Sequence, residues 1–313
     1  MSNSLQFGVE IELLLGGGAG NYTDWHSLAL SVSQKLREAG INNHINDGAD
    51  KSADNYREWS IVREITIPEQ PAYVGIELVS PVYHIADPWT TDLQTIFRVL
   101  STSFRIVHSE DCSTHVHISA TPTPFSAADL AALGKCALFY EHALDLLVPP
   151  NRRGGNHWCQ SNRVSASFNE RSLGDCLGML DLVVQSPSGS GDPGKKAVDK
   201  VVGYMNHVSP MSRTGIIHGK KKNFVHGKIY KWDFSRMVGG GQGTIEFRQP
   251  SGSLCADDAT AWVELALAFV AAATRMVGPA LQGMGVSGAG ATQQHLWGML
   301  SIGAQQLGWN WFG

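Results

Sequence analysis

Apolar and acidic positions alternate along Phe7 to Leu15, where Val9, Ile11 and Leu13 are separated by Glu10 and Glu12. That period of two predicts a β-strand with two unlike faces. Glycines at Gly16 to Gly20 end it in a turn. Trp25, Leu28, Ala29, Val32 and Leu36 follow at helical spacing, with Thr23 or Asp24 as the cap and Gly40 as the terminator. The stretch from Ile41 to Arg57 is polar and aperiodic, which predicts a surface loop.

Strand patterns return at Trp59 to Ile67 and at Tyr73 to Val79, the latter closing on Ser80 and Pro81. Leu93, Ile96, Phe97 and Leu100 mark a helix, and Phe104 to Val107 and Ser113 to Ser119 are strand-like. Ser126 and Asp129 form a capping box that opens a helix along Leu130, Leu133, Ala137, Tyr140, Leu144 and Leu147, stopped by Pro149 and Pro150. A helix is predicted over Leu173 to Val184, then a flexible connector over Ser186 to Gly194. Strands at Lys228 to Met237 and Thr244 to Gln249 flank a turn at Gly239 to Gly243, and Trp262 to Met276 is a long apolar helix. Strands in hairpin-like groups with helices between them predict an α+β fold, a mainly antiparallel sheet backed by helices. There is no internal repeat.

Composition narrows the function classes. Apolar residues make up 43% of the 313 positions and charged residues 17%, against roughly 25% charged residues in average globular proteins, so a packed core is expected. Lys and Arg number 24 against 28 Asp and Glu, and this balance offers no basic field for nucleic acid. The acids at Glu10 and Glu12 interrupt the first apolar run, so no signal peptide is expected there. Leu265 to Ala273 falls short of the roughly 20 residues of a membrane span. Five scattered cysteines (Cys112, Cys136, Cys159, Cys176, Cys255) without paired spacing suit a reducing, cytoplasmic compartment.

The alternation also sets out candidate chemistry. Glu10 and Glu12 lie on one strand face, where neighbouring carboxylates repel unless a cation joins them. The bland alternative is an exposed strand face. His115 and His117 in CSTHVHIS share a face with Ser113 and Ser119, and imidazoles so placed are either transition-metal ligands or hydrogen-bonded neighbours. Glu246 and Arg248 in GTIEFRQP share a face opposite Ile245 and Phe247; a surface ion pair is the plain alternative. Glu64 and Glu77 are lone acids in apolar strands. A sheet face that collects carboxylates, imidazoles and a guanidinium is costly to bury unless it holds metal and an anionic ligand. The glycines of GGGAG lack the Lys-Ser/Thr ending of a phosphate-binding P-loop.

FGVEIEL, GIELVSP, CSTHVHIS and GTIEFRQP, in this order and spacing, resemble an amidoligase family widespread in fungi, a branch of the glutamine synthetase-like carboxylate-amine ligases. The resemblance covers about residues 7 to 276 and leaves 277 to 313 as a Gly-, Ala- and Gln-rich extension of one catalytic domain, 1 to 313. It implies a curved, mainly antiparallel sheet whose concave face binds ATP and Mg²⁺ or Mn²⁺. It further implies metal-binding roles for Glu10, Glu12, Glu77, His115 and Glu246, nucleotide contacts for His117 and Ser119, and contact of Arg248 with the transferring phosphate. Glu64 is assigned with the metal residues, although the family more often carries aspartate near that position. Arg152, Arg153 and Arg163 are further candidates, and Lys220 to Lys222 form either a phosphate-closing lid or a solvated loop.

The activity so implied is ATP-dependent amide formation between a carboxylate and an amine, each a small molecule or peptide, through an acyl phosphate, with a place in specialised metabolism. A metal-dependent hydrolase and a nucleotide-binding protein without turnover are the alternatives.

Overall fold

In a computed structural model the described residues are 4–17, 22, 24–48, 56–68, 70, 72–154, 156–185, 192–207, 214–217, 220–223, 228–275 and 290–311. The chain divides into two compact units. One comprises Gln6–His117 with Pro250–Val263; the other comprises Met1–Leu5, Ile118–Gln249 and Glu264–Gly313.

The first unit is built on strand β1 (Ser4–Gly16). Helix α1 (Trp25–Glu38) follows, capped by Asp24, whose carboxylate accepts from the Ser27 amide. Then come β2 (Asn43–Asn46), β3 (Trp59–Arg63), β4 (Tyr73–Val79), β5 (Tyr83–His84), helix α2 (Trp89–Ser103), β6 (Arg105–Val107) and β7 (Thr114–Thr121), which continues into the second unit. The strand order is β7-β1-β4-β3-β2, with β5 and β6 also paired to β1. β1 pairs antiparallel with β4, β5 and β6, β3 pairs antiparallel with β4, and β2 pairs parallel with β3.

The register explains the two faces. Ile11 pairs with Leu78 and Leu13 with Ile76, while Ile61 also pairs with Leu78. These side chains are at most 2% exposed, on the apolar sheet face that α1 and α2 cover. Glu12 pairs with Glu77 on the other face. A polar chain braces the rim: Trp59 Nε1 donates to Tyr83 Oη (3.0 Å), which donates to Asp92 (2.6 Å), while Phe7 packs edge-on against Trp89. Burial, with Asp92 next, pushes the Tyr83 phenol well above its ordinary range.

The second unit stacks helices α3 (Ala127–Phe139), α5 (Leu173–Gln185) and α6 (Pro193–Asn206) against one another, with α4 (Glu141–Asp145) following α3. The capping box of Ser126 and Asp129 opens α3. Lys135, buried in α3, reaches Asp181 of α5 at 2.7 Å. Strands β8 (Thr214–Ile217) and β9 (Lys220–Asn223) form a hairpin, and β10 (Trp232–Asp233) pairs antiparallel with β11 (Ile245–Phe247). Helix α7 (Ala256–Arg275) ends in this unit, where α8 (Gln293–Gln306) also lies. The apolar side of β10–β11 is an aromatic stack, Trp232 against Phe247 (4.4 Å) and Phe269 (5.1 Å).

The α+β expectation holds: helices accompany a mostly antiparallel sheet. Several boundaries differ. The segment expected as a loop from Ile41 contains β2, an edge strand whose Asn43 amide satisfies the carbonyls of Ser33 and Ile41. Its polar composition hides it, because an edge strand has few apolar contacts to make. Strand β3 stops at Arg63, with Ile65 exposed, rather than running to Ile67. The helix expected to reach Leu147 breaks at Tyr140. Of Lys228 to Met237 only Trp232–Asp233 is strand, followed by a 3₁₀ turn at Ser235–Met237.

Helix α7 starts at Ala256, six residues before the expected Trp262. Helix α6 lies where a connector was expected to end: Asp192 caps it and Pro193 opens it. Gly239, Gly240 and Gly243 have positive φ, as the turn before β11 requires. Thr23, residues 18–20 of the first glycine turn, residues 186–191 of the connector and Met276 lie outside the described residues. Among the described residues no helix is long and apolar enough to cross a membrane.

Candidate functional site

The polar face of β1, β4 and β7 gathers the acids and imidazoles. Alternation along β1 aims Glu10 and Glu12 away from the helices, and Glu77 of β4 stands directly across from Glu12. Ser113, at the mouth of β7, joins the strands: its amide donates to Glu12 Oε2 at 2.8 Å and its hydroxyl to the same oxygen at 2.6 Å. That hydroxyl also lies 2.8 Å from His115 Nε2. His115 Nδ1 lies 3.3 Å from Glu10, and His117 Nε2 lies 3.0 Å from the other Glu10 oxygen. Glu12, His115 and His117 are at most 8% exposed. Burial raises the Glu10 pKa, but the charges of and hydrogen bonds to His117 and His115 outweigh it and hold the carboxyl well below its ordinary value.

Two donor sets form here and share Glu77. Glu10, Glu77 and His115 present ligand atoms within 4.8 Å of one another, and Glu12, Glu64 and Glu77 do the same. Glu64 sits one residue past the end of β3 rather than inside it, and its carboxylate accepts from the Thr66 amide at 2.6 Å. Glu64, a lone acid in the sequence, thereby joins Glu12 of β1 and Glu77 of β4. Ser119 is half-buried two positions beyond His117 on β7.

In the second unit Glu246 and Arg248 lie on β11, as the alternation in GTIEFRQP requires. Glu246 is fully buried, Arg248 Nη1 donates to its Oε1, and Arg236 Nε lies 3.8 Å from its Oε2. Asp233 of β10 stands opposite Glu246. Burial first, and Glu246 second, push the Asp233 carboxyl above its ordinary value.

Arg152 serves the backbone: it is buried and donates to the carbonyls of Arg248 (2.7 Å) and Gln249 (3.0 Å). Arg153 donates to the Val148 carbonyl, and Arg163 to that of Arg171. Lys220 to Lys222 fall on β9, a paired strand rather than a loop. The sequence pattern does not single out Lys231, Asp233 or Arg236. The alternation that revealed Glu246 is also present in Lys231-Trp232-Asp233, but two residues of strand are too short to stand out.

This architecture defines a mixed α/β protein with a largely buried carboxylate and imidazole cluster on one sheet face. Residues 3–176, more than half of the chain, match the model of the family described as "putative amidoligase enzyme", and the protein belongs to that family. The match contains Glu10, Glu12, Glu64, Glu77, His115 and His117 and ends before Glu246 and Arg248. No curated protein matches the chain.

Proposed function

We propose that the protein is an ATP-dependent ligase that joins a carboxylate to an amine through an acyl phosphate, on a glutamine synthetase-like fold. The observation that carries this reading is the pair of donor sets sharing Glu77 in a member of an amidoligase family. Their chemistry fits Mg²⁺ or Mn²⁺: four carboxylates and one imidazole form a hard, oxygen-dominated set, and carboxylates packed this closely need cationic charge to be stable. A zinc hydrolase would be expected to carry more imidazole and thiolate.

Glu10, Glu12, Glu64, Glu77 and His115 would hold the divalent ions, with Glu246 assigned to the same task. The ions would supply charge neutralisation for phosphate oxygens. Ser113 keeps Glu12 and His115 oriented by bonding both. Glu246 fixes the Arg248 fork, and Arg248 stabilises negative charge on the transferring phosphoryl group. His117 and Ser119 contact the nucleotide. A substrate carboxylate oxygen attacks the γ-phosphorus and ADP leaves. The amine nitrogen then attacks the acyl carbon, phosphate departs, and the nitrogen loses a proton to give the amide.

The test is a coupled assay over panels of organic acids and amines with ATP and Mg²⁺. Stoichiometric ADP, phosphate and amide are expected. AMP and pyrophosphate would exclude the acyl-phosphate route, and turnover with zinc but without ATP would establish the hydrolase instead.

A further inference from the structure

A cavity of about 590 Å³ opens within the second unit, between α3–α4 and the segment 161–173. Its volume lies in the range of small-molecule sites, roughly 300–1,000 Å³. The floor is apolar, made by the buried Leu138, Phe168 and Leu173. One wall carries Glu141, His142 and Asp145, and the facing segment carries Arg163, with the exposed Glu170 and Arg171 beside it.

The charges on this lining are divided. Lys231, 2% exposed, reaches Glu141 at 2.7 Å and Asp145 at 2.5 Å. One ammonium thus serves two carboxyl groups, leaving one negative charge in surplus on that wall. The remaining contacts are neutral donors: Ser161 Oγ to Glu141 and the Gln249 amide to Asp145. Arg163 is the reverse case. Its guanidinium donates to the Arg171 carbonyl at 3.1 Å, and no carboxylate among the described residues pairs with it.

Ser161 links the two walls through the backbone. Ser161 Oγ, which donates to Glu141, also accepts from the Arg163 amide at 3.1 Å at the start of a 3₁₀ turn. Glu170, on the cavity wall, has φ +64°, a left-handed conformation that costs a non-glycine residue energy and that clusters at ligand sites. The wall is also wired to β11, because the Lys231 carbonyl accepts from the Arg248 amide at 2.8 Å.

We propose that this cavity binds a small zwitterion of the amino-acid class, its ammonium against Glu141 and Asp145 and its carboxylate on the Arg163 guanidinium. Surplus charge of both signs above an apolar floor matches an α-amino acid with a nonpolar or mildly polar side chain. A simple carboxylic acid or a simple amine satisfies only one of the two. The inference goes beyond the ligase reading, since binding here requires neither ATP nor metal.

The test is calorimetric titration of the whole protein in chelator, without ATP, with each standard amino acid and with the N-acetylated and amidated forms of any that bind. Binding of one or more amino acids is expected, with loss of about tenfold or more in affinity when either charged end is blocked. Arg163→Gln should weaken binding about as much as amidation does. Asn169→Trp, at an exposed position on the cavity wall, should block the space while leaving Glu141, Asp145 and Arg163 in place.

No binding by any amino acid, binding indifferent to the blocked ends, or binding unchanged in both variants would overturn the proposal. Amino-acid binding without any ATP consumption would leave it standing and defeat the ligase reading. ATP turnover without amino-acid binding would do the reverse.

Discussion

Glu12 and Glu77 face each other directly across the antiparallel pair β1–β4, two carboxylates at one register position on a largely buried sheet face. Like charges so placed repel by about 0.2–1 kcal/mol. Glu77→Gln should therefore leave the metal-free protein as stable as wild type or slightly more so. Because Glu77 belongs to both donor sets, the same variant should lose most of the melting-temperature increase produced by millimolar Mg²⁺ or Mn²⁺. Thermal melts in chelator and in metal measure both effects, and an unchanged metal response would remove Glu77 from the ligands.

Glu246 and Arg248 are bonded to each other, yet they are assigned different tasks. Glu246→Gln removes a hard ligand at constant shape, so metal affinity should fall and excess Mn²⁺ should restore part of the turnover. Arg248→Lys keeps the charge but loses the planar fork, so turnover should drop about 10²-fold or more with ATP binding retained and no rescue by metal. Steady-state kinetics over a metal titration separates the two. Near-wild-type rates in both would reduce the pair to a structural contact.

Tyr83 links Trp59 to Asp92 through one hydroxyl. Tyr83→Phe strands the buried indole N–H and frees the carboxylate, which should cost about 1–3 kcal/mol in denaturant unfolding. The site is not part of this chain of bonds, so metal binding should be preserved.

Gly303 of α8 lies so close to α7 that an added Cβ would sit 1.9 Å from the Ala268 carbonyl oxygen. Gly303→Ala gains helix propensity of roughly 1 kcal/mol but forces the helices apart, which typically costs 1–3 kcal/mol and occasionally more. A lowered unfolding midpoint is expected; a raised one would mean that α8 shifts freely on its neighbour.

The elements legible in the sequence are those in which burial imposes a period. The two faces of β1 and β4, the cap of α1 and the capping box of α3 follow from local rules that the tertiary structure leaves intact. Along β1 the same period marked Glu10 and Glu12, and it marked the pair on β11. What escaped has other causes. Strand β2 is polar because it forms an edge, α8 is hidden by Gly and Gln on its exposed positions, and Glu64 reads as a lone acid because its neighbours Glu12 and Glu77 come from other strands. Arg152 looked like a catalytic candidate from its neighbourhood in sequence, whereas its partners, two backbone carbonyls almost a hundred residues away, are set by topology alone.

Those two carbonyls give Arg152 a further significance. Three residues of strand hold β11 in the sheet, and a ladder so short has little to stop it from sliding. A slip of one position would turn Phe247 out of its stack on Trp232 and swing Glu246 and Arg248 into the aromatic side. By gripping the carbonyls of Arg248 and Gln249 at once, the planar guanidinium acts as a ratchet pawl for the strand, and the chemistry assigned to β11 depends on an arginine turned to its backbone.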